Sequence, residues 1–165
     1  DRDDLRVEAD DLSTLIVGPS ETMFEAVREA FVAAANTGTH VVANLTFSRG
    51  CPGEPDDPIC TPEEPEKRRS ELPDPRTVAA SGLRTAAQFA VYPLGAAGYM
   101  DTIGEQIERA KQAGTFSKGK HFCTRLDGDA AAVFATIEAA FEAAGQQVGH
   151  VVTTATVSAN SPSEG

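Results

Sequence analysis

HVVTTATVSANSP, residues 150–162, has an earlier counterpart in this sequence, HVVANLTFSRGCP, residues 40–52. Both stretches alternate apolar and polar residues and then break at a proline. Alternation with a period of two predicts a β-strand that packs one face on a core. The two stretches lie 110 positions apart, and the same offset relates the segments that precede them.

An internal duplication explains the match. When residues 11–54 are compared with residues 121–164 without gaps, fourteen of the 44 pairs are identical. Chance would give roughly three or four identities for this composition, so the excess indicates an internal repeat. The identical pairs include Thr14 with Thr124, Gly18 with Gly128, Phe24 with Phe134, Phe31 with Phe141, and His40 with His150.

Each copy predicts a strand, a glycine turn and a helix before the alternating strand. The first strands are expected at residues 12–17 and 122–126, each ended by a glycine. Ser20 and Asp129 stand where helix N-caps belong. A buried helical stripe is predicted from apolar residues at i, i+3, i+7 and i+10. Its members are Phe24, Val27, Phe31 and Ala34 in the first copy and Phe134, Ile137, Phe141 and Ala144 in the second.

The second copy also has a front half. Residues 88–92 predict a strand that ends at Pro93, and residues 99–112 predict a helix that stops at Gly114. The apolar face of this helix is expected to carry Met100, Ile103, Ile107 and Ala110. Strands at residues 116–117 and 121–126 would then flank a turn at residues 118–120. The order β-α-β-β-α-β predicts an α+β fold with helices on one face of an antiparallel sheet.

The first copy begins at the hairpin of residues 5–17, so by the offset its own first strand and helix would precede residue 1. We therefore expect about 25 or more further residues ahead of the sequence shown, by comparison with the second copy. The predicted divisions are an N-terminally incomplete first repeat (1–54), a proline-rich linker (55–84) and a second repeat (85–165).

Composition narrows the class of protein. The formal net charge of −11 argues against nucleic acid and anionic membranes as partners. Membrane insertion is not expected, because no apolar run approaches the ~20 residues needed to span a bilayer. The three cysteines, Cys51, Cys60 and Cys123, form no CxxC motif, which is typical of a reduced cytoplasmic protein. Alternatively, Cys51 and Cys60 could form a disulfide across the loop between them.

Motifs of catalysis are missing from the sequence. It contains no GxGxxG, P-loop, HExxH or GxSxG pattern. The histidines His40, His121 and His150 do not fall at metal-ligand spacings. The sequence therefore predicts no catalytic residue and no metal site.

Five segments resemble the YkoF-type proteins, which bind thiamine and its hydroxymethylpyrimidine (HMP) moiety. They are AQFAVYPLG, YMDTIGEQIERAKQAGTF, RLDGDAAAVFATIEAAF, HVVTTATVSANSP and FSRGCPGE. The resemblance covers nearly the whole chain except the linker. It implies two tandem ferredoxin-like (ACT-like) repeats, which agrees with the duplication. It further implies a soluble, homodimeric, non-enzymatic binder with thiamine or HMP as ligand and no other cofactor, linked to uptake or salvage. An alternative is a ligand-sensing regulatory or dimerisation module that acts on a protein partner, because fold alone does not assign function.

A polar face of the duplicated strand is the predicted ligand wall. Its side chains are too polar for a core and too short for an ordinary solvated face, and small side chains let a flat ring approach. The candidates are Asn44, Thr46 and Ser48 in the first repeat and Thr154, Thr156, Ser158 and Asn160 in the second. Tyr92 and Tyr99 could add a ring wall and a hydroxyl. The other interpretation is that these residues are strand formers at an interface.

The residues that follow the duplicated strand are predicted to turn. Gly50 aligns with Asn160, and both residue types tolerate a positive φ. Cys51 lies in the first of these turns, where it could contact a ligand.

Overall fold

The computed structural model describes residues 3–50 and 71–163. Most of the predicted linker lies outside these residues, as do Cys51 and Cys60. The elements in chain order are β1 (Arg6–Ala9), β2 (Thr14–Val17), α1 (Ser20–Ala35), β3 (Val41–Arg49), β4 (Arg84–Leu94), α2 (Tyr99–Gln112), β5 (Phe116–Lys120), β6 (Cys123–Asp129), α3 (Ala130–Gln147) and β7 (His150–Ala159). None of the helices in this part of the chain is long and apolar enough to cross a membrane.

Two antiparallel sheets organise the chain. One is a five-stranded sheet in the order β3-β7-β4-β6-β5, and the other is the β1-β2 hairpin. Strands β4 to β7, with α2 and α3 between them, have the βαββαβ order of a ferredoxin-like unit. Strand β3 extends that unit at the free edge of β7. The predicted α+β fold is confirmed, whereas the domain boundaries at residues 54 and 85 remain predictions.

The pairing of β3 with β7 joins the two copies of the duplicated strand. Leu45 lies opposite Ala155, which is its own counterpart at the offset of 110. Asn44 lies opposite Thr156, and the register is symmetric about this point. The two strands are therefore related by a local twofold axis between Leu45 and Ala155, as the halves of an isologous interface are.

Phenylalanines from both copies form one core on the helical side of the large sheet. The rings of Phe24 and Phe47 stack with centroids 4.1 Å apart, and Phe141 lies 5.7 Å from Phe24. The predicted stripe on α3 is buried throughout, and on α1 Phe24 and Phe31 are buried. Ala34 is exposed and its neighbour Ala35 is buried in its place.

The two predicted N-caps have different outcomes. Asp129 caps α3 and accepts a hydrogen bond from the Ala131 N–H at 2.8 Å. Ser20 is not a cap, because α1 begins at Ser20 itself and Pro19, which precedes it with φ −57° and ψ 135°, has no side-chain acceptor.

Two predicted boundaries at β4 and β5 were wrong. Strand β4 continues through Pro93, which lies opposite Val151 of β7. Pairing with β6 ends at Phe89, so one side of β4 is open at the proline and can tolerate its missing N–H. The turn expected at residues 118–120 lies instead at residues 121–122, because β5 stays paired with β6 as far as Lys120, which lies opposite Cys123.

A buried ion pair ties β3 to α3. The guanidinium of Arg49 donates to both carboxylate oxygens of Glu142, at 2.8 and 2.7 Å. The two side chains are 8% and 0% exposed, and the guanidinium carbon also lies 5.0 Å from the centre of the Phe141 ring. A Cβ on Gly145 would lie 2.9 Å from a guanidinium nitrogen of Arg49, so glycine there leaves room for the pair.

The single change Arg49→Met should destabilise the protein by about 3–5 kcal/mol, because it leaves the Glu142 carboxylate buried without its partner. Urea unfolding followed by circular dichroism measures this free energy. The double variant with Glu142→Leu also removes the buried charge and should recover most of the loss. A double variant no more stable than Arg49→Met would contradict the assignment.

Asp129 also joins the start of β4 to α3. Besides capping the helix, its carboxylate accepts from the backbone N–H of Ser81 at 3.0 Å and that of Gly82 at 2.8 Å. Desolvation, the largest single influence, raises the pKa of Asp129, but the hydrogen bonds from Ser81, Ala131 and Gly82 together hold it below its ordinary value of 3.8.

Replacing Asp129 by Ala should cost about 1–2 kcal/mol at pH 7, the range for a lost N-cap. Since the folded-state pKa is lowered, this stabilisation is present above pH 3.8 and should disappear as the pH falls through the folded-state pKa. Urea unfolding at pH 7 and at acidic pH measures it. Asp11→Ala is the control, because Asp11 is exposed and lies outside the helices. A cost that is equal at both pH values would refute the role of the charge.

Candidate ligand-binding site

The predicted polar face of β3 and β7 lies on the side of the sheet opposite the helices. Asn44, Thr46, Ser48 and Thr156 are exposed there, whereas the alternate residues of both strands contact the core. The Thr156 hydroxyl donates to Asn44 Oδ1 at 3.0 Å across the local twofold axis. The face therefore exists as predicted, and its polar groups are partly bonded to one another.

A shallow hollow of about 370 Å³ lies on this face, and we call it the depression. It brings together five of the predicted site residues, Asn44, Thr46, Tyr92, Thr154 and Thr156. Ser48 and Ser158 share the face but do not line the hollow. Ser158 instead lies 3.1 Å from His40 Nε2, within hydrogen-bond distance.

The two turns that follow the duplicated strand have the predicted positive φ angles. Gly50 has φ 71° and Asn160 has φ 56°. The Asn160 amide donates to the carbonyls of Ala35 and Thr39, at 2.7 and 3.0 Å, so it connects the end of β7 to the end of α1. Asn160 does not line the depression, and Cys51 lies outside the described residues.

A larger hollow adjoins the depression, and we call it the cavity. Its volume is about 620 Å³. It is lined by residues 89–96 of β4 and the following loop, residues 120–124 of the β5-β6 hairpin, and Tyr99, Met100, Ile103, Gln106 and Ile107 of α2. Tyr92 and Phe122 line both hollows, so these two rings stand where the cavity and the depression meet.

Helix α2 turns its apolar stripe toward the cavity instead of the core. Ile103 and Ile107 are half-buried and Met100 is exposed. The buried residues of α2 are Thr102, Gln106 and Ala110. Of the four residues predicted to share one helical face, Met100, Ile103, Ile107 and Ala110, only Ala110 is buried.

Gln106 lies at the cavity and is almost fully buried. Its side chain is 1% exposed, and its amide Nε2 donates to the Thr102 carbonyl at 3.0 Å. The amide oxygen, Oε1, is buried and has no hydrogen-bond partner within the described part of the chain. The residue thus lines the cavity, while Oε1 itself is closed to solvent.

Large apolar side chains surround the mouth of the cavity. Tyr92 is 44% exposed, Tyr99 52% and Phe122 91%. Among the described residues that line the cavity, Lys120 and His121 are the basic ones and none is acidic. The described residues also contain no cluster of His, Cys, Asp or Glu that could hold a metal ion.

Sequence reasoning found both tyrosines but missed Gln106 and Phe122. Phe122 was assigned to a strand, and in the structure it is the second residue of the hairpin turn. A signal for Gln106 was present: Thr102, Gln106 and Ala110 are spaced by four residues and form a second, small and polar helical face.

The fold and the hollows define a class: a ferredoxin-like α+β protein with a cavity of small-molecule size at one end of its sheet. The chain belongs to the YkoF-related family, whose model matches residues 1–54 and 84–164. It is 40% identical over 158 residues to a Bacillus subtilis (strain 168) protein named "Putative HMP/thiamine-binding protein YkoF". The match covers 94% of this chain and 76% of that protein. The predicted family resemblance is confirmed.

Proposed function

We propose that this protein binds thiamine or its HMP moiety without chemical turnover, and that the cavity is the binding site. The observation that carries the proposal is the cavity itself. Its 620 Å³ fall within the ~300–1,000 Å³ typical of small-molecule sites, which are mostly apolar with few polar groups. The name of the B. subtilis relative supports thiamine or HMP as the ligand.

The lining matches the chemistry of this ligand. An aminopyrimidine ring has two flat apolar faces, and Ile103 and Ile107, one turn apart on α2, would contact one of them. The rings of Tyr92 and Tyr99 at the mouth can stack on an aromatic ligand. They can also face the positive charge of a thiazolium, because the face of an aromatic ring attracts cations.

The predicted strand-face site remains a second location for the same ligand. The depression offers Asn44 and Thr156, which already bond one another, and its volume of 370 Å³ is smaller than that of the cavity. We favour the cavity because it is the larger of the two hollows.

Calorimetric titration should show saturable binding of thiamine and of HMP to the wild-type protein. The variant Ile103→Trp should abolish it, because the larger ring occupies the cavity. Glu108→Trp places the same ring on the exposed side of α2 and should leave the affinity unchanged.

The variant Thr156→Val distinguishes ligand binding in the cavity from ligand binding in the depression. It removes the hydroxyl that bonds Asn44 in the depression while keeping the shape of the side chain. If the ligand binds in the cavity, the affinity of Thr156→Val should stay within about twofold of wild type, since the substitution lies outside the cavity lining. A large loss in Thr156→Val with normal binding in Ile103→Trp would place the site on the strand face. Absence of heat with either ligand at high protein concentration would refute the proposed function.

The cellular role we propose is uptake or salvage of thiamine by a homodimer in the cytoplasm. Binding without turnover suits a carrier or buffer, and the short side chains on the open face of β3 and β7 suit contact with a second copy. Accumulation of labelled thiamine or HMP in cells lacking the protein tests this role, and accumulation equal to that of normal cells would refute it.

A further inference from the structure

The hairpin of β5 and β6 gives the cavity a basic rim. Lys120 and His121 are the basic residues among the described residues that line the cavity, and none of these is acidic, although the chain has a net charge of −11. Both side chains are exposed to solvent. The depression, by contrast, is lined by uncharged residues within the described part of the chain. Charge therefore distinguishes the cavity from the hollow beside it.

The ammonium group of Lys120 is available to a ligand. Most of the described arginines and lysines pair with a carboxylate of the chain, namely Arg6, Arg28, Arg49, Arg76, Lys111 and Arg125. Lys120 has no hydrogen bond or ion pair with any residue that the structure describes. Because its four-carbon stem is flexible, the ammonium can turn toward the mouth of the cavity. A cation without a partner at this position attracts an anion.

His121 adds hydrogen-bond donors beside Lys120. It is the first residue of the hairpin turn, and its ring lies 6.4 Å from that of Phe122, centroid to centroid. An imidazole donates from one ring nitrogen when neutral and from both when charged. Two adjacent residues at the mouth can therefore donate to the oxygens of one anionic group, and hydrogen bonds to an ionised acceptor are the stronger kind.

We propose that the cavity binds a phosphorylated form of its ligand, and that Lys120 and His121 hold the phosphate at the mouth. This inference rests on the proposed function and adds the class of ligand. The phosphate is an ester of the hydroxymethyl group of HMP or of the hydroxyethyl group at the far end of thiamine. Unphosphorylated thiamine brings only its positive thiazolium to this rim, and the Lys120 ammonium repels that charge.

The test compares two pairs of ligands by calorimetry at low ionic strength. One pair is HMP and its phosphate ester, and the other is thiamine and thiamine monophosphate. In at least one pair, wild type should bind the phosphorylated member about 3- to 20-fold more tightly, the range for two exposed ion pairs. The preference should shrink in about 0.5 M salt, because salt screens exposed charges.

Substitutions at the rim assign the preference to Lys120. Lys120→Gln should bring the two affinities close together, and Lys120→Glu should reverse their order, because a carboxylate at the rim repels the phosphate. Lys118→Gln is the matched control. It removes the same charge from an exposed position of the same strand that does not line the cavity, so it should retain the preference.

The outcomes separate the inference from the proposed function. If no ligand binds wild type, both are overturned. If HMP or thiamine binds and neither phosphate ester binds more tightly, only the inference is overturned. A preference that persists in Lys120→Glu, or that falls equally in Lys118→Gln and Lys120→Gln, overturns the role of Lys120. Should a Lys120 variant fail to fold, the salt series on wild type decides, because a preference that salt does not weaken overturns a charged rim without any variant.

Discussion

The antiparallel pairing of β3 with β7 is the constraint on which the rest of the structure depends. It sets Leu45 opposite its own repeat counterpart Ala155 and so brings the first copy of the strand onto the edge of a complete ferredoxin-like unit. Because side chains alternate along a strand, a shift of one residue would exchange its two faces. In the observed register Phe47 packs in the shared core, and Arg49 reaches Glu142 of α3. The hydrophobic core and the buried ion pair thus specify the same register.

The same sheet creates the cavity through unequal strand lengths. Strand β4 has 11 residues and pairs with β7 along nearly all of them, whereas its pairing with β6 ends at Phe89. Beyond that point, no strand among the described residues lies beside β4 on that side. The end of β4, the hairpin turn at residues 121–122 and the first turns of α2 surround the space that results. Pro93 is compatible with this open side, so the residue that seemed to end the strand lies in the wall of the cavity.

The sequence predicted what repeats and alternates, and it missed what depends on packing between elements. The 110-residue offset and the alternation were enough to predict β3, β7, the two helical phenylalanine stripes and the turns at Gly50 and Asn160. The part of the depression formed by β3 and β7 was predictable, because its residues lie on the polar face of the duplicated strand. The cavity was not, because it depends on which side of α2 meets α3. The sequence grouped Ile103 and Ile107 on one apolar face of α2, but the face that is buried is the small and polar one at Thr102, Gln106 and Ala110.

The orientation of α2 connects this packing to binding. A helix that buries a threonine and a glutamine while leaving Ile103 and Ile107 half-buried forgoes part of the hydrophobic stabilisation available to it. Apolar area of this kind is worth roughly 25 cal/mol per Å² when it is covered. Ile103 and Ile107 line the cavity, so a flat ligand bound there would cover them. A ligand that binds the cavity as we propose would therefore stabilise the folded protein through α2.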